Sequence, residues 1–477
     1  MRMQHPLPRT IGEAAAAYRS RQLSPIELTR TLLNRIEALD PLLHTFRHIT
    51  AELALQAARR AEEELRGGKD RGPLHGIPVT LKDNMAYAGT ALTNGSSLAF
   101  SGRPAAHSDI ARKLTDAGAV ILGLTHMHEF AYGPHRPDME AVRNPWRPDR
   151  IPGGSSSGAA AGLAAGFALG AVGTDTAGSV RVPASFCGVV GFKPTQGLIS
   201  LHGTTPLAPS LDHAGVLARF AADAELLVQA LAVDPGRLPS AASRALAAAS
   251  IADGKTPLAG LRVGVLEDLF GEPTEERTAA VAREALAVLA EAGAKLVPVR
   301  FEWSVSEMKE AAWTILHAEA ARELTKLGSG RRAMFGPGLA ANLARAEALP
   351  PKKVEEAMRW RGWMCKRMKG AWSETDVWVG PTCPWPARRI GSPAHPGGAV
   401  NGEYAPFANL WGLPALSFPA GFSEDGLPIG VQIVGPLGAD SLVLAVGKWY
   451  EKLTGRQVAE PDDSLWGMEL SHPDGRQ

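Results

Sequence analysis

"GIPVTLKDN", residues 76–84, decides how the chain is read: a short apolar run fit for a buried strand ends on Lys82 and opens into a polar loop. The next clear segment, "SDIARKLTDAG" (108–118), is a capped helix closed by Gly118, and "AVILGL" (119–124) is a strand after it. The order repeats further on, as "LRVGVL" (261–266), a helix from about Thr274 to Ala292, and "AKLVPVRF" (294–301). Strands separated by helices build a sheet covered on both faces. "PALSFPAG" (414–421) and "LPIGVQIVG" (427–435) flank Asp425-Gly426, the signature of a hairpin. The predicted fold class is α/β: a central mixed, mostly parallel, twisted sheet with helices on both faces.

Upstream of Gly76 the pattern is helical. Ser24-Pro25-Ile26-Glu27 reads as a capping box with proline at the first helical position, and Leu28, Leu32, Ile36 and Leu39 then recur on one face. An Ala-rich helix from about Thr50 to Arg66 ends at Gly67-Gly68. These helices, residues 1–70, are expected to pack on the remainder of a single domain spanning 1–477. The Ala- and Ser-rich stretch 236–256 is expected to be a mobile surface connection. Gly158–Gly173, the most apolar run, is short for a membrane span and suits a tightly packed helix and strand.

The 477 residues are 45% hydrophobic and 21% charged, with a formal net charge of +1, proportions ordinary for a soluble globular protein. So balanced a charge offers no footprint for nucleic acid or an anionic membrane. Cys187, Cys365 and Cys383 are widely spaced and form no metal-ligand pairs, which favours a reducing compartment. The first twenty residues carry no signal-peptide core, so a cytoplasmic location is expected.

Chemistry can reside in several places. In "GTDTAGSVRVPA" (173–184), Ser179 sits among small residues, and successive N–H groups from Thr176 to Ser179 can surround one point, as an oxyanion requires. Asp175 and Arg181 bracket Ser179 and can pair to hold that loop. No histidine is near in sequence, so the proton of Ser179 needs another acceptor. "IPGGSSSGAAAG" (151–162) presents three serines at the start of a small-residue helix. Its Gly-Ser-Ser-Ser-Gly also matches a nucleophile elbow centred on Ser156, but "RNPWRPDRIP" before it is too polar and proline-rich for the buried strand an elbow needs. Lys82 closes an apolar strand. Its ammonium can snorkel to water, or desolvation can lower its pKa from ~10.4 and leave a free amine that accepts a proton. "THMHEF" offers His126 and His128 to a metal-dependent amidohydrolase reading, but His135, His202 and His213 complete no second ligand pattern.

Taken in order, "GIPVTLKDN", "HEFAYG", "RNPWRPDRIPGGSSSGAAAG", "GTDTAGSVRVPASFCGVVGFKPT", "GLPALSFPAG" and "GLPIGVQIVG" resemble the amidase signature family over nearly the whole chain. The resemblance implies the amidase signature fold and a Ser–cis-Ser–Lys triad, with Ser179 as nucleophile, Ser155 as proton relay after a cis peptide, and Lys82 as base. It implies an oxyanion hole from the N–H groups of Thr176, Ala177, Gly178 and Ser179. Ser156 would support the network by hydrogen bonding, and Asp175 with Arg181 would brace the loop. The chain departs from the commonest pattern at Ala177, where glycine is frequent, and "SLDHAGVLAR" (210–219) lacks a proline that often follows its glycine. The implied activity is hydrolysis of a small amide, with ester or urethane cleavage as side activities and neither cofactor nor metal required. Phe130 and Tyr132 are candidates for a substrate pocket, with Trp378, Cys383, Trp385 and Trp411 from the C-terminal segments. The partner implied is a small-molecule amide; no nucleic acid or membrane is expected, and a homodimer stays open. Alternatives are the catalytic A subunit of a tRNA-dependent amidotransferase, a hydrolase of carbamates or biuret-type ureas, and a non-catalytic binding protein that keeps the fold.

Overall fold

Thr10 and Ser24 each close a capping box, and these start helices α1 (Ile11–Arg19) and α2 (Pro25–Leu43). Leu28, Leu32, Ile36 and Leu39 of α2 are all buried, as their spacing requires. After strand β1 (Phe46–Ile49) comes α3 (Ala51–Arg66), which packs on α2 and on β3. The unit read at Gly76 is β2 (Pro78–Lys82), α4 (Asp109–Asp116, capped by Ser108) and β3 (Val120–Thr125), with β2 and β3 parallel. The structure, a computed structural model, describes residues 7–97, 102–234, 236, 256–326, 329–392, 403–455 and 459–462. Residues 237–255 of the expected mobile connection lie outside the described residues.

The central part runs α5 (Ser157–Ala164), β4 (Gly170–Asp175), α6 (Arg181–Cys187), β5 (Val190–Lys193), β6 (His213–Ala218) and α7 (Ala221–Leu231). A second parallel unit follows, β7 (Arg262–Leu266), α8 (Glu276–Glu291) and β8 (Lys295–Val299). Three long helices, α9 (Val305–Thr325), α10 (Pro337–Glu347) and α11 (Pro351–Ala371), precede β9 (Val377–Pro381). Short α12 (Pro406–Leu410), the hairpin β10 (Ala415–Phe422) and β11 (Pro428–Val434), and α13 (Asp440–Thr454) complete the described elements.

All eleven strands of the described residues join one mixed sheet in the order β1-β3-β2-β4-β6-β5-β10-β11-β9-β7-β8. The expected parallel majority is corrected. Only β2–β3, β2–β4, β7–β8 and β7–β9 run parallel; every other neighbouring pair is antiparallel. The cause is chain order: β6 inserts between β4 and β5, and a hairpin rather than a crossover joins β10 to β11. The covering helices form two groups, α5 with α6 and α7 with α8 and α13, and both groups contact the central strands. Helices α9 to α12 build a second apolar cluster, which reaches Ala177 and Phe130. No helix among the described residues is long and apolar enough to cross a membrane.

Candidate active site

Lys82 is the last residue of β2, with β3 on one side and β4 on the other, and none of its surface is exposed. Its Nζ lies 2.8 Å from Ser155 Oγ and 2.8 Å from Thr174 Oγ1, with the Thr174 carbonyl at 3.4 Å. Burial pushes the amine down to about 7, against the opposing pull of the Asp175 and Asp212 carboxylates. Near neutral pH a substantial share of Lys82 is therefore free amine, able to take a proton. Asn84 Nδ2 donates to Thr174 Oγ1 at 3.1 Å, which fixes the threonine that holds the lysine.

Ser155 comes from the glycine-serine turn before α5, and the Gly154–Ser155 peptide bond is cis. Gly154 is required by close packing: a Cβ there would fall 2.3 Å from Cε1 of His128. The turn is tied on both sides. The His128 N–H donates to the Ser155 carbonyl at 3.2 Å, and the Ser156 N–H donates to the Ser179 carbonyl at 3.2 Å. Ser156 Oγ donates to the Thr174 carbonyl at 3.3 Å, close over Gly173, where a Cβ would lie 2.6 Å from that oxygen. Ser156 is thus wholly buried and engaged, and no strand precedes it among the described residues of 143–155, so the elbow arrangement is not formed.

The Ser179 loop is wound around one carboxylate. Asp175 ends β4 and accepts from the N–H groups of Gly178 (2.8 Å) and Val180 (3.1 Å) and from Nε and Nη2 of Arg181 (3.1 and 3.0 Å). Arg181 also donates to Asn409 Oδ1 at 2.7 Å and Gln432 Oε1 at 3.3 Å, and Asn409 Nδ2 returns to the Asp175 carbonyl at 2.8 Å. Burial alone would raise the Asp175 carboxyl; the Arg181 charge and hydrogen bonds, with Lys193 and Asn409, outweigh it and hold the group well below the usual carboxylate range. A buried pair this fully hydrogen-bonded is costly to break by removing one partner. Every residue from Phe167 to Pro194 is buried except Ser179, which is partly exposed.

The expected oxyanion donors divide. The Gly178 N–H is already committed to Asp175, whereas those of Thr176, Ala177 and Ser179 donate to no group among the described residues. Thr176 is anchored by its hydroxyl, which donates to Asp212 Oδ1 at 2.6 Å. The positive φ that the loop needs falls on Gly178 (φ 111°) and not on Ala177, so alanine fits at 177 without strain.

Phe130 and Tyr132 lie in the same apolar cluster as Ala177, and both are buried. The Phe130 ring meets Phe335, and the Tyr132 hydroxyl is engaged by His317 Nδ1 and by the Asn342 carbonyl at 3.2 Å. The C-terminal candidates split: Trp378 and Trp411 join this cluster, while Cys383 and Trp385 pack in a separate one with Val182 and Phe186. His126, His128 and His135 are neighbours, yet among the described residues no group of three or more His, Cys, Asp or Glu is placed to hold a metal ion. Sequence reasoning missed Thr174, Asn84, Asn409 and Gln432. Thr174 had a local signal, since it stands beside Asp175 at the end of β4. Asn409 and Gln432 had none, because their partner Arg181 is far away in the chain. Two clefts lie apart from Ser179: one of about 310 Å³ beside Asp212 and His213, and one of about 560 Å³ beside Asp40 and His126.

Residues 27–444 match the family model described as Amidase. The chain is 34% identical to the A subunit of the glutamyl-tRNA(Gln) amidotransferase of Trichormus variabilis, over 92% of this chain and 97% of that one. Among solved structures, the peptide amidase of Stenotrophomonas maltophilia superposes with a TM-score of 0.80 at 30% identity, covering 95% of this chain and 98% of the other. A 6-aminohexanoate cyclic dimer hydrolase superposes with a TM-score of 0.82 at 27% identity, covering 95% and 98%.

Proposed function

The chain belongs to the amidase family and is an amide-hydrolysing enzyme, and from that premise we propose that Ser179 is its nucleophile, Ser155 its proton relay and Lys82 its base. The observation that carries this reading is the 2.8 Å contact of Lys82 Nζ with Ser155 Oγ inside a site where the lysine has no access to water. Neutral Lys82 takes the Ser155 proton while Ser155 takes that of Ser179, and Ser179 Oγ adds to the amide carbonyl. The N–H groups of Thr176, Ala177 and Ser179 receive the oxyanion; Gly178 would join them only by leaving Asp175. The proton then returns through Ser155 to the leaving nitrogen, the C–N bond breaks, and water hydrolyses the acyl-enzyme by the reverse relay. Asp175 and Arg181 act as positioning residues, holding the loop in shape. Phe130 and Tyr132 back the wall that Ala177 presents to the acyl side. Because β1 and β8 are the edges of one sheet, the whole chain is read as one domain.

The substrate class proposed is a small linear amide, with carbamates and ureas next in order. Labelling with a fluorophosphonate probe, located by peptide mass spectrometry, tests the nucleophile. The adduct is expected on Ser179 and absent in Ser179→Ala; an adduct on Ser156 would overturn the assignment. A second reading is favoured by the 34% identity to the A subunit of an amidotransferase over almost its full length. In it the same site releases ammonia from glutamine for a second protein chain. Glutamine hydrolysis that rises on adding a co-purified partner chain, with no turnover of simple amides by the isolated enzyme, would establish it.

A further inference from the structure

Two gaps open in the buried shell around the proposed triad. One is Ser179. The other is His128: every residue from Ala119 to Phe130 is buried except this histidine, which is partly exposed, and the Ser155 turn is buried throughout 152–165. The His128 ring lies against Gly154, where an added Cβ would stand 2.3 Å from Cε1 and 2.4 Å from Nε2. Its backbone N–H donates to the Ser155 carbonyl at 3.2 Å. His135 packs edge-on against the ring, with centroids 4.8 Å apart, and fixes its plane. The ring nitrogens of His128 have no protein partner among the described residues. Unlike Nε2 of His126 and both nitrogens of His135, they are not sealed from the surface.

Protein encases the ring enough for desolvation, followed by the Lys82 charge beside it, to push it down to about 3. His128 is therefore neutral at pH 7, with a hydrogen on one nitrogen and a free lone pair on the other. Its place in the fold decides which part of a substrate it meets. Phe130 and Tyr132 share the apolar cluster of Ala177, on the acyl side. His128 stands instead on the peptide that leads into Ser155, the hydroxyl that serves the leaving nitrogen.

We propose that His128 accepts the N–H of the scissile amide and so sets the preference of the site for amides over esters of the same acid. The inference rests on the Ser179, Ser155 and Lys82 roles proposed above and adds a specificity-determining residue to them. In a free amide the nitrogen is planar and its lone pair is shared with the carbonyl. As Ser179 Oγ forms its bond to the carbonyl carbon, the nitrogen turns pyramidal and its lone pair takes the Ser155 proton. An N–H that lay in the amide plane is thereby turned aside. A neutral imidazole on that side holds it more strongly in the transition state than in the substrate, which is where a contact raises the rate. The C–N bond then breaks and the amine leaves. The leaving oxygen of an ester carries no hydrogen and makes no use of the acceptor.

The test uses the full chain with butyramide and methyl butyrate, which share one acyl group, and reads kcat/KM from butyrate release. His128→Phe keeps a flat ring against Gly154 and removes both nitrogens. It is expected to lower kcat/KM for butyramide roughly tenfold and for methyl butyrate by less than about threefold. His128→Asn and His128→Gln each return an amide oxygen to the leaving-group side. At least one of them is expected to recover most of the butyramide rate. If His128→Phe does not fold, His128→Ala is read in the same way. Equal losses on the amide and the ester in a folded variant overturn the assignment and leave the proposed function standing, with His128 reduced to shaping the Ser155 turn. Turnover of both substrates that persists in Ser179→Ala overturns the proposed function itself.

Discussion

Two lysines in this molecule look alike in sequence and in burial, and their surroundings separate them. Lys82 closes β2 in "TLKDN" and Lys193 closes β5 in "GFKPT"; neither side chain has any exposed surface. Burial drives both amines below the ordinary lysine range, Lys193 with added push from the Arg181 charge and against Asp175 and Asp440. What differs is the partner. Lys193 Nζ meets the carbonyls of Pro194 (3.1 Å) and Leu413, which can only accept. Lys82 Nζ meets the hydroxyls of Ser155 and Thr174, which can give up a proton as well as accept one. A lowered pKa makes an amine available; only a hydroxyl in reach makes it a base.

Exchanging each lysine for methionine breaks the comparison most sharply. Lys82→Met is expected to lower kcat/KM by roughly 10⁴-fold with the fold retained, as does loss of a member of comparable catalytic triads. Lys82→Arg is expected to fail almost as badly, because guanidinium stays protonated and cannot accept the Ser155 proton. Lys193→Met is expected to keep most turnover and lose stability, about 1–3 kcal/mol, because two carbonyls lose their donor. Amide hydrolysis measured beside urea unfolding on all three proteins separates the roles. A robustly active Lys82→Arg enzyme would sink the base assignment.

The next largest effect concerns Asp175, which the two lysines share as a neighbour. Asp175→Asn strips the carboxylate from Arg181 and leaves a buried guanidinium with only neutral acceptors, at a cost of about 3–5 kcal/mol. Because the same carboxylate orders the N–H groups of Gly178 and Val180, kcat should fall together with the unfolding midpoint. Loss of stability with kcat intact would show that the loop keeps its shape without the pair.

A pH series sharpens the comparison further. With Lys82 held at about 7, protonation below that value removes the free amine, and kcat/KM is expected to fall about tenfold per pH unit on the acid side. The stability term has the same sign. Between the folded value and the ordinary 10.5, the unfolded chain binds the extra proton, so the contribution of Lys82 to stability improves as pH rises through that window and is constant above it. An acid limb that persists unchanged in Thr174 or Ser155 variants would assign it to another group.

Much of this was legible in the sequence where the signal is local. Capping at Ser24 and Ser108, the strand ending on Lys82 and the hairpin at Asp425-Gly426 all depend on neighbours within a few residues. The balance of parallel and antiparallel pairing was not legible, because it depends on where β6 inserts, and that is a choice between distant strands. The same limit hid Asn409 and Gln432. They matter only because α12 and β11 arrive beside α6, and nothing near 409 or 432 announces the arginine they serve. The two lysines are the clearest case. Their local sequences support one reading for both, and the contact that separates them comes for Lys82 from the turn at 155 and for Lys193 from the chain at 413.

The smallest expected effect lies at Thr174, the hydroxyl that Lys82 has in addition to Ser155. Its Oγ1 accepts from Lys82 Nζ and from Asn84 Nδ2, so it favours the protonated lysine. Thr174→Val keeps the shape of β4 and removes that acceptor. The ammonium form loses support, the lysine pKa drops further, and the acid limb of kcat/KM is expected to move down by about half a pH unit, worth roughly 0.7 kcal/mol. The plateau rate should fall by less than about tenfold, because the contact to Ser155 remains. An upward shift of the limb would mean that Thr174 donates to a neutral Lys82, and the roles of the two hydroxyls around that nitrogen would then be exchanged.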